Sequence, residues 1–144
     1  MIKQATISDI PVLTKYALSL YNDSSANELS DEFEKSIKNK NAAIFLACED
    51  NVCIGFAQCQ LRHDYVEGTV STPVGYLEGI FVEEKYRRKG YAKALLFSCE
   101  KWAKEQGCTE FASDCELVNT DGYNFHCEMG FKEVNRIICF AKTL

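Results

Sequence analysis

The chain has 144 residues, enough for one domain with a proper core and too few for two comfortable ones. Its hydrophobic fraction of 47% and charged fraction of 26% are ordinary for a soluble globular protein, and no apolar run approaches the ~20 residues that span a bilayer. A formal net charge of −5 argues against nucleic acid as a partner and leaves room for a cationic small molecule.

The opening residues, MIKQATISDIPVL, hold no continuous apolar signal region, so a cytoplasmic protein is expected. Residues 2–5 suit a short strand. Ser8-Asp9 supplies a helix N-cap signal with Pro11 in the first turn, and Ile10, Leu13, Ala17, Leu18 and Tyr21 recur at helical spacing. Asn22 to Asn27 reads as loop, and Ser30 is the expected cap of a second helix running to about Lys40. "AAIFLACED" and "VCIGFAQCQLR" read as two strands of a hairpin joined at Glu49-Asp50-Asn51. Asp64 to Thr72 is a polar loop. "VGYLEGIFV" is apolar on both sides of the pleat and therefore a central strand, with Glu78 its one carboxylate.

From Ala92, the set Ala92, Leu95, Leu96, Cys99, Trp102 and Ala103 predicts a helix that Gly107 stops. "EFASD" is a short strand, residues 121–129 a weak helix ending at Gly130, and Lys132 to Phe140 a last strand. No repeat or low-complexity linker interrupts the order, which predicts a single domain over 1–144, α/β or α+β, with a mixed central sheet. The eight cysteines form no CxxC, and several sit in apolar patterns such as "IFLAC" and "ICF". Reduced, mostly buried thiols are expected, and with only two histidines no metal site is.

The stretch "KYRRKGYAKAL" places Arg87, Arg88 and Lys89 around Gly90 at the start of that helix. Unpaired N–H groups and the positive end of the helix dipole bind phosphate there, Gly90 admits a ligand close to the main chain, and small Ala92 leaves room. A solvated charge cluster is the plainer alternative. Neither a P-loop nor a GxGxxG dinucleotide fingerprint is present.

Arg87-x-x-Gly90-x-Ala92, after a strand and opening a helix, resembles the pyrophosphate motif of the GNAT superfamily of acetyl-CoA-dependent N-acetyltransferases. The predicted order of elements is similar to that fold over nearly the whole chain. "RHDYVEGTVSTPVGYLEGIFV", "CTEFASD" and "HCEMGFKE" further resemble the aminoglycoside 6′-N-acetyltransferases, enzymes that confer antibiotic resistance. The resemblance implies acetyl-CoA held between splayed strands 75–82 and 110–114. Main-chain groups of Ile80, Phe81 and Val82 would pair with the pantetheine arm. The amides of Arg88, Lys89, Gly90, Tyr91 and Ala92 would hold the pyrophosphate, with Asn119 hydrogen-bonding the arm. Relatives often form dimers, so a homodimer is expected as well.

Acetyl transfer to an amine needs a deprotonated nucleophile, a stabilised oxyanion and a protonated leaving thiolate. Glu78 is the candidate base, directly or through water, or the anchor for an ammonium; a core carboxylate paired with an arginine is the alternative. Asp114 and Tyr65 match substrate-contacting positions of the family, although Asp114 could merely cap a turn. Tyr21 stands where relatives commonly carry tryptophan, and Asn135 where a substrate-facing glutamate is common. His126 takes the place of the tyrosine acid of many GNAT enzymes, as proton donor or as a hydrogen-bonding partner of the cofactor. Competing readings are acetylation of another amine such as a polyamine or a protein N-terminus, a non-catalytic acyl-CoA sensor, and a thiol-redox or metal protein.

Overall fold

A computed structural model describes all 144 residues. Strands β1 (Ile2–Gln4), β2 (Ala42–Glu49), β3 (Val52–Arg62), β4 (Val74–Val82) and β5 (Phe111–Ser113) form one sheet in that spatial order. The first three pairings are antiparallel and β4–β5 is parallel, so the sheet is mixed as predicted. The β2–β3 connection is a two-residue turn in which Asp50 and Asn51 both take positive φ, 48° and 64°. That is the geometry whose twist matches a hairpin, and Asn and Asp tolerate it well. A parallel pair needs a long crossover, and here it contains helix α3 (Tyr91–Glu105).

Side-chain alternation along β2 divides the core between two faces. Ile44, Leu46 and Cys48 pack with Leu13, Tyr16 and Ala17 of α1 (Ile10–Ala17) and with Leu29 and Phe33 of α2 (Ala26–Lys38). Ala43 and Ala47 join Leu95, Leu96 and Cys99 of α3 on the other face. Each fully buried Leu or Phe contributes roughly 1.5–3 kcal/mol, so burial on both faces holds the sheet between its helices. Helix α4 (Thr120–Glu128) contributes no fully buried residue and closes the end of the fold beyond β5.

Several boundaries differ from the sequence reading. The start of α1 is not among them, since Asp9 is its N-cap and Pro11 lies in its first turn as expected; ahead of it Ile7–Asp9 add one 3₁₀ turn in which the Asp9 carboxylate accepts the Thr6 N–H at 2.9 Å. Helix α1 ends at Ala17, which leaves Tyr21 beyond it. Ser25, not Ser30, caps α2: its Oγ accepts from Glu28 N at 3.2 Å while the Glu28 carboxylate accepts from Ser25 N at 3.1 Å. This Ser-x-x-Glu capping box satisfies two unpaired donors at once, and so the helix starts inside the expected loop.

The expected last strand, Lys132 to Phe140, is absent. After Gly130 (φ 92°) the chain joins no ladder, and Ile137, Ile138 and Phe140 are 71%, 81% and 91% exposed. Its apolar pattern suits a strand, but a strand exists only against a neighbour, and nothing in the same chain pairs with it. The thiols divide likewise. Cys48, Cys59, Cys99 and Cys108 are buried, whereas Cys127 and Cys139 are exposed, so "ICF" is not a core segment.

Candidate active site

Strands β4 and β5 pair only through Gly75–Phe111, Tyr76–Ala112 and Leu77–Ser113. Beyond Leu77 they part, and residues 78–82 keep β3 as their one strand neighbour. The cause is a bulge. Gln58 pairs with Gly79 and Cys59 with Leu77, so Glu78 is the extra residue of β4. A bulge bends its strand and re-aims a side chain, and this one opens the free edge of Ile80, Phe81 and Val82 toward a cleft of about 960 Å³.

At one end of the cleft lies the cationic turn. Gly90 has φ 88° and caps α3, a conformation suited to glycine; a Cβ built there meets nothing within 4 Å. The main chain at the helix start is therefore open to a ligand. Arg88 also takes positive φ, 61°, and its exposed side chain reaches Glu128 at 3.6 Å. Arg87 turns inward instead, its Nε donating to the Val82 carbonyl at 2.8 Å, which ties the turn to the end of β4. Lys89 lies over the Tyr86 ring, 5.3 Å from its centre. Tyr91 and Ala92 line the cleft, with Gly90 between them and the arginines. These features fit an anionic, pyrophosphate-bearing group.

The carboxylates gather at the bulge. Glu78 accepts three hydrogen bonds from the Arg62 guanidinium, at 2.9, 3.0 and 3.1 Å. Arg62 stacks on Tyr76, 3.4 Å above the ring centre, and the Tyr76 hydroxyl donates to Asp114. Burial, then the hydrogen bond to Asp114, pushes the Tyr76 hydroxyl well above the usual phenol range, so it stays a donor. Tyr21 completes the group: its hydroxyl lies 3.4 Å from the Glu78 carbonyl oxygen, and a side chain at Gly79 would strike it. Burial chiefly raises its pKa, with Glu78 and Asp114 among the charges that add to the shift.

His126 is held at both ring nitrogens, Nδ1 2.6 Å from the Gly122 carbonyl and Nε2 2.7 Å from Ser113 Oγ. A carbonyl can only accept, so Nδ1 carries a proton, and in the neutral ring Nε2 accepts from Ser113. The histidine thus clamps α4 to the end of β5 at the mouth of the splay. Asn119 lines the same cleft and spends its Oδ1 on capping α4, 2.9 Å from Gly122 N. Two expected substrate contacts lie elsewhere. Tyr65 is 78% exposed on its loop and lines no wall of the cleft. Asn135 sits in the C-terminal arm, its Oδ1 accepting from Arg136 N, and lines an adjoining cavity of about 560 Å³ that shares Ser113, Asp114 and His126 with the cleft. Both belong to segments without strand pairing, where position in the sequence does not set position in the fold. Arg62 and Tyr76 join the site without having been expected there; only the cross-strand register, with Arg62 opposite Val74, brings them together.

The model of the "Acetyltransferase (GNAT) family" matches residues 11–131. The chain is similar to an aminoglycoside N(6′)-acetyltransferase type 1 of Stenotrophomonas maltophilia, 38% identical over 144 residues, which cover 99% of this chain and 93% of the relative. It is also similar to the enzyme of that name from Acinetobacter haemolyticus, 36% identical with 99% and 98% covered. Among solved structures, AAC(6′)-Iy in complex with the bisubstrate analogue CoA-S-monomethyl-acetylneamine superposes with a TM-score of 0.96 at 34% identity, covering 100% of this chain and 98% of that one. The apo form of AAC(6′)-IG from Acinetobacter haemolyticus gives 0.95 at 34% identity, covering 100% and 99%.

Proposed function

Because the chain belongs to the GNAT acetyltransferase family, we infer that it transfers the acetyl group of acetyl-CoA to the 6′-amino group of aminoglycosides, an activity that confers resistance. One observation carries the reading. The free edge of β4 runs from an open, cationic helix start at Gly90 to a carboxylate pair, Glu78 and Asp114, so an anionic arm and a polycationic acceptor converge on one bulge.

Acetyl-CoA supplies an acetyl group activated as a thioester. The amides around Gly90 hold its pyrophosphate, and the outward N–H groups of Ile80 and Val82, which flank the β3-facing Phe81, hold the arm and oppose negative charge at the acetyl oxygen. Glu78, locked by Arg62, anchors the acceptor's amine and receives its proton directly or through water. Asp114, oriented by Tyr76, binds a second ammonium, and Tyr21 walls the site over Gly79. Both ring nitrogens of His126 are committed within the protein, which favours a positioning role for it over that of acid. The leaving thiolate needs little help, since thiol pKa values lie near 8.5.

Neomycin and paromomycin test the regiochemistry, because they differ in carrying an amine or a hydroxyl at the 6′ position. Neomycin should release coenzyme A readily and paromomycin hardly at all, since a hydroxyl is a poor nucleophile that no carboxylate attracts as an ammonium. Equal rates, acetyl on another ring nitrogen by mass spectrometry, or faster turnover of a polyamine would reject the assignment.

A cytoplasmic homodimer that binds neither membrane nor nucleic acid completes the proposal. No helix is long and apolar enough to cross a membrane, and the net charge is −5. The dimer is supported by the C-terminal arm: Val134 packs against Gly68, but Ile137, Ile138 and Phe140 beyond it project into solvent. Apolar side chains in a strand-like pattern call for a surface to cover them. Light scattering should give a dimer for the full chain and a monomer after truncation at Gly130; a monomeric full chain would end this part of the proposal.

A further inference from the structure

Cys48 and Cys53 face one another across the β2–β3 hairpin, one residue pair in from its turn. Their Sγ atoms are 3.0 Å apart, about 1 Å beyond the ~2.05 Å of a disulfide bond. The ladder explains the closeness. Cys48 N–H donates to the Met1 carbonyl and the Cys48 carbonyl accepts from the Met1 ammonium, each at 2.8 Å. With both main-chain groups turned away from β3, Cys48 meets Cys53 as a non-hydrogen-bonded pair, the arrangement that brings side chains nearest. Such pairs have Cα atoms about 4.5 Å apart, within the span a disulfide bridges. The tight Asp50-Asn51 turn on one side and the register shift after Ala47 on the other fix the pairing.

Neither thiol lines the cleft, so acetyl transfer makes no use of them. Cys59 and Cys99 also neighbour one another, but both are sealed in the core at 0% exposure. Cys53 is partly exposed while Cys48 is buried beneath it, which gives the pair an accessible member and a sheltered one.

We propose that Cys48 and Cys53 are a redox site that takes hydrogen peroxide as oxidant and closes to an intramolecular disulfide. The Cys53 thiolate attacks one peroxide oxygen. An S–O bond forms, the O–O bond breaks, and the departing hydroxide takes a proton to leave as water. The Cys48 thiolate then attacks the resulting sulfenic sulfur, forming the S–S bond and expelling the second oxygen as water. Two thiols lose two electrons, the peroxide gains them, and the two thiol protons end in the two waters. Cys53 acts first because it is the reachable one. Burial, and next the hydrogen bond with Cys53, push the Cys48 thiol up to about 11, so Cys48 stays protonated while Cys53 meets the oxidant.

The test treats the reduced, folded full chain with a few equivalents of hydrogen peroxide, followed by iodoacetamide in denaturant and mass spectrometry. Trypsin leaves residues 41–62 in one piece, and Asp-N cuts this piece before Asp50. A bridged product keeps the two halves joined, two hydrogens lighter than their sum, with Cys59 alkylated and Cys48 and Cys53 not. Dithiothreitol should separate the halves and restore both alkylations. In Cys48→Ala, dimedone should label Cys53, where no resolving thiol remains. The proposal is overturned if Cys48 and Cys53 stay fully alkylated while Cys127 or Cys139 oxidises. Cys53 reaching sulfinic acid beside an alkylated Cys48, or no dimedone label in the variant, would overturn it equally.

Discussion

Replacing Gly90 by glutamate should lower acetyl-CoA affinity by about a hundredfold or more while the fold survives. Two separable effects contribute. The backbone at φ 88° disfavours any side chain, and holding a non-glycine residue there costs of order 1–3 kcal/mol. The glutamate then projects into space that is empty within 4 Å, where the pyrophosphate would lie, and sets like charges against each other. Each 1.4 kcal/mol is about tenfold in affinity, so a hundredfold loss needs only about 2.8 kcal/mol. Gly90→Ala separates the two effects, because it keeps the strain without the charge and should bind better than the glutamate variant. Calorimetry measures the affinities and circular dichroism the fold. Unchanged affinity in a folded Gly90→Glu protein would remove the pyrophosphate assignment.

Glu78→Gln should lower kcat/KM by about two to four orders of magnitude, the range expected when a positioned base or its equivalent is lost. Acetyl-CoA affinity should hold, since Gly90 and the cationic turn are untouched. Glutamine keeps the shape and one acceptor but removes the charge that both the substrate ammonium and Arg62 use. The side chains of Arg62 and Glu78 are 38% and 22% exposed, so water can solvate the freed guanidinium and the variant should fold. Steady-state rates across a pH series, beside a thermal melt, decide the matter. Near-normal turnover would leave Glu78 as the ion-pair partner of Arg62 and nothing more.

The sheet and its connections were legible because they rest on local patterns. The continuous apolar run "AAIFLAC" marks a strand buried on both faces and the helical spacing from Ala92 to Ala103 a helix buried on one, and burial follows from the layers. The capping box at Ser25 and Glu28 was equally local and simply lay where a loop was expected. The bulge was not legible: Glu78-Gly79 carries no mark of which residue β3 will skip, because register is settled by the whole ladder. Since the bulge sets where Glu78 points, its Arg62 partner was hidden too. The fate of Lys132 to Phe140 depends on a neighbour that its own residues do not specify.

Arg62 gives the free protein a resident counter-ion. An incoming ammonium at Glu78 does not find a bare carboxylate; it must share one with a guanidinium, or take its place. Docking is then a cation exchange, whose free energy is the difference between two ion pairs instead of the strength of one. A monoamine gains little from such a swap. An acceptor with several ammonium groups can pay for it through contacts elsewhere, with Asp114 among them, so one arginine serves as a threshold on substrate valence.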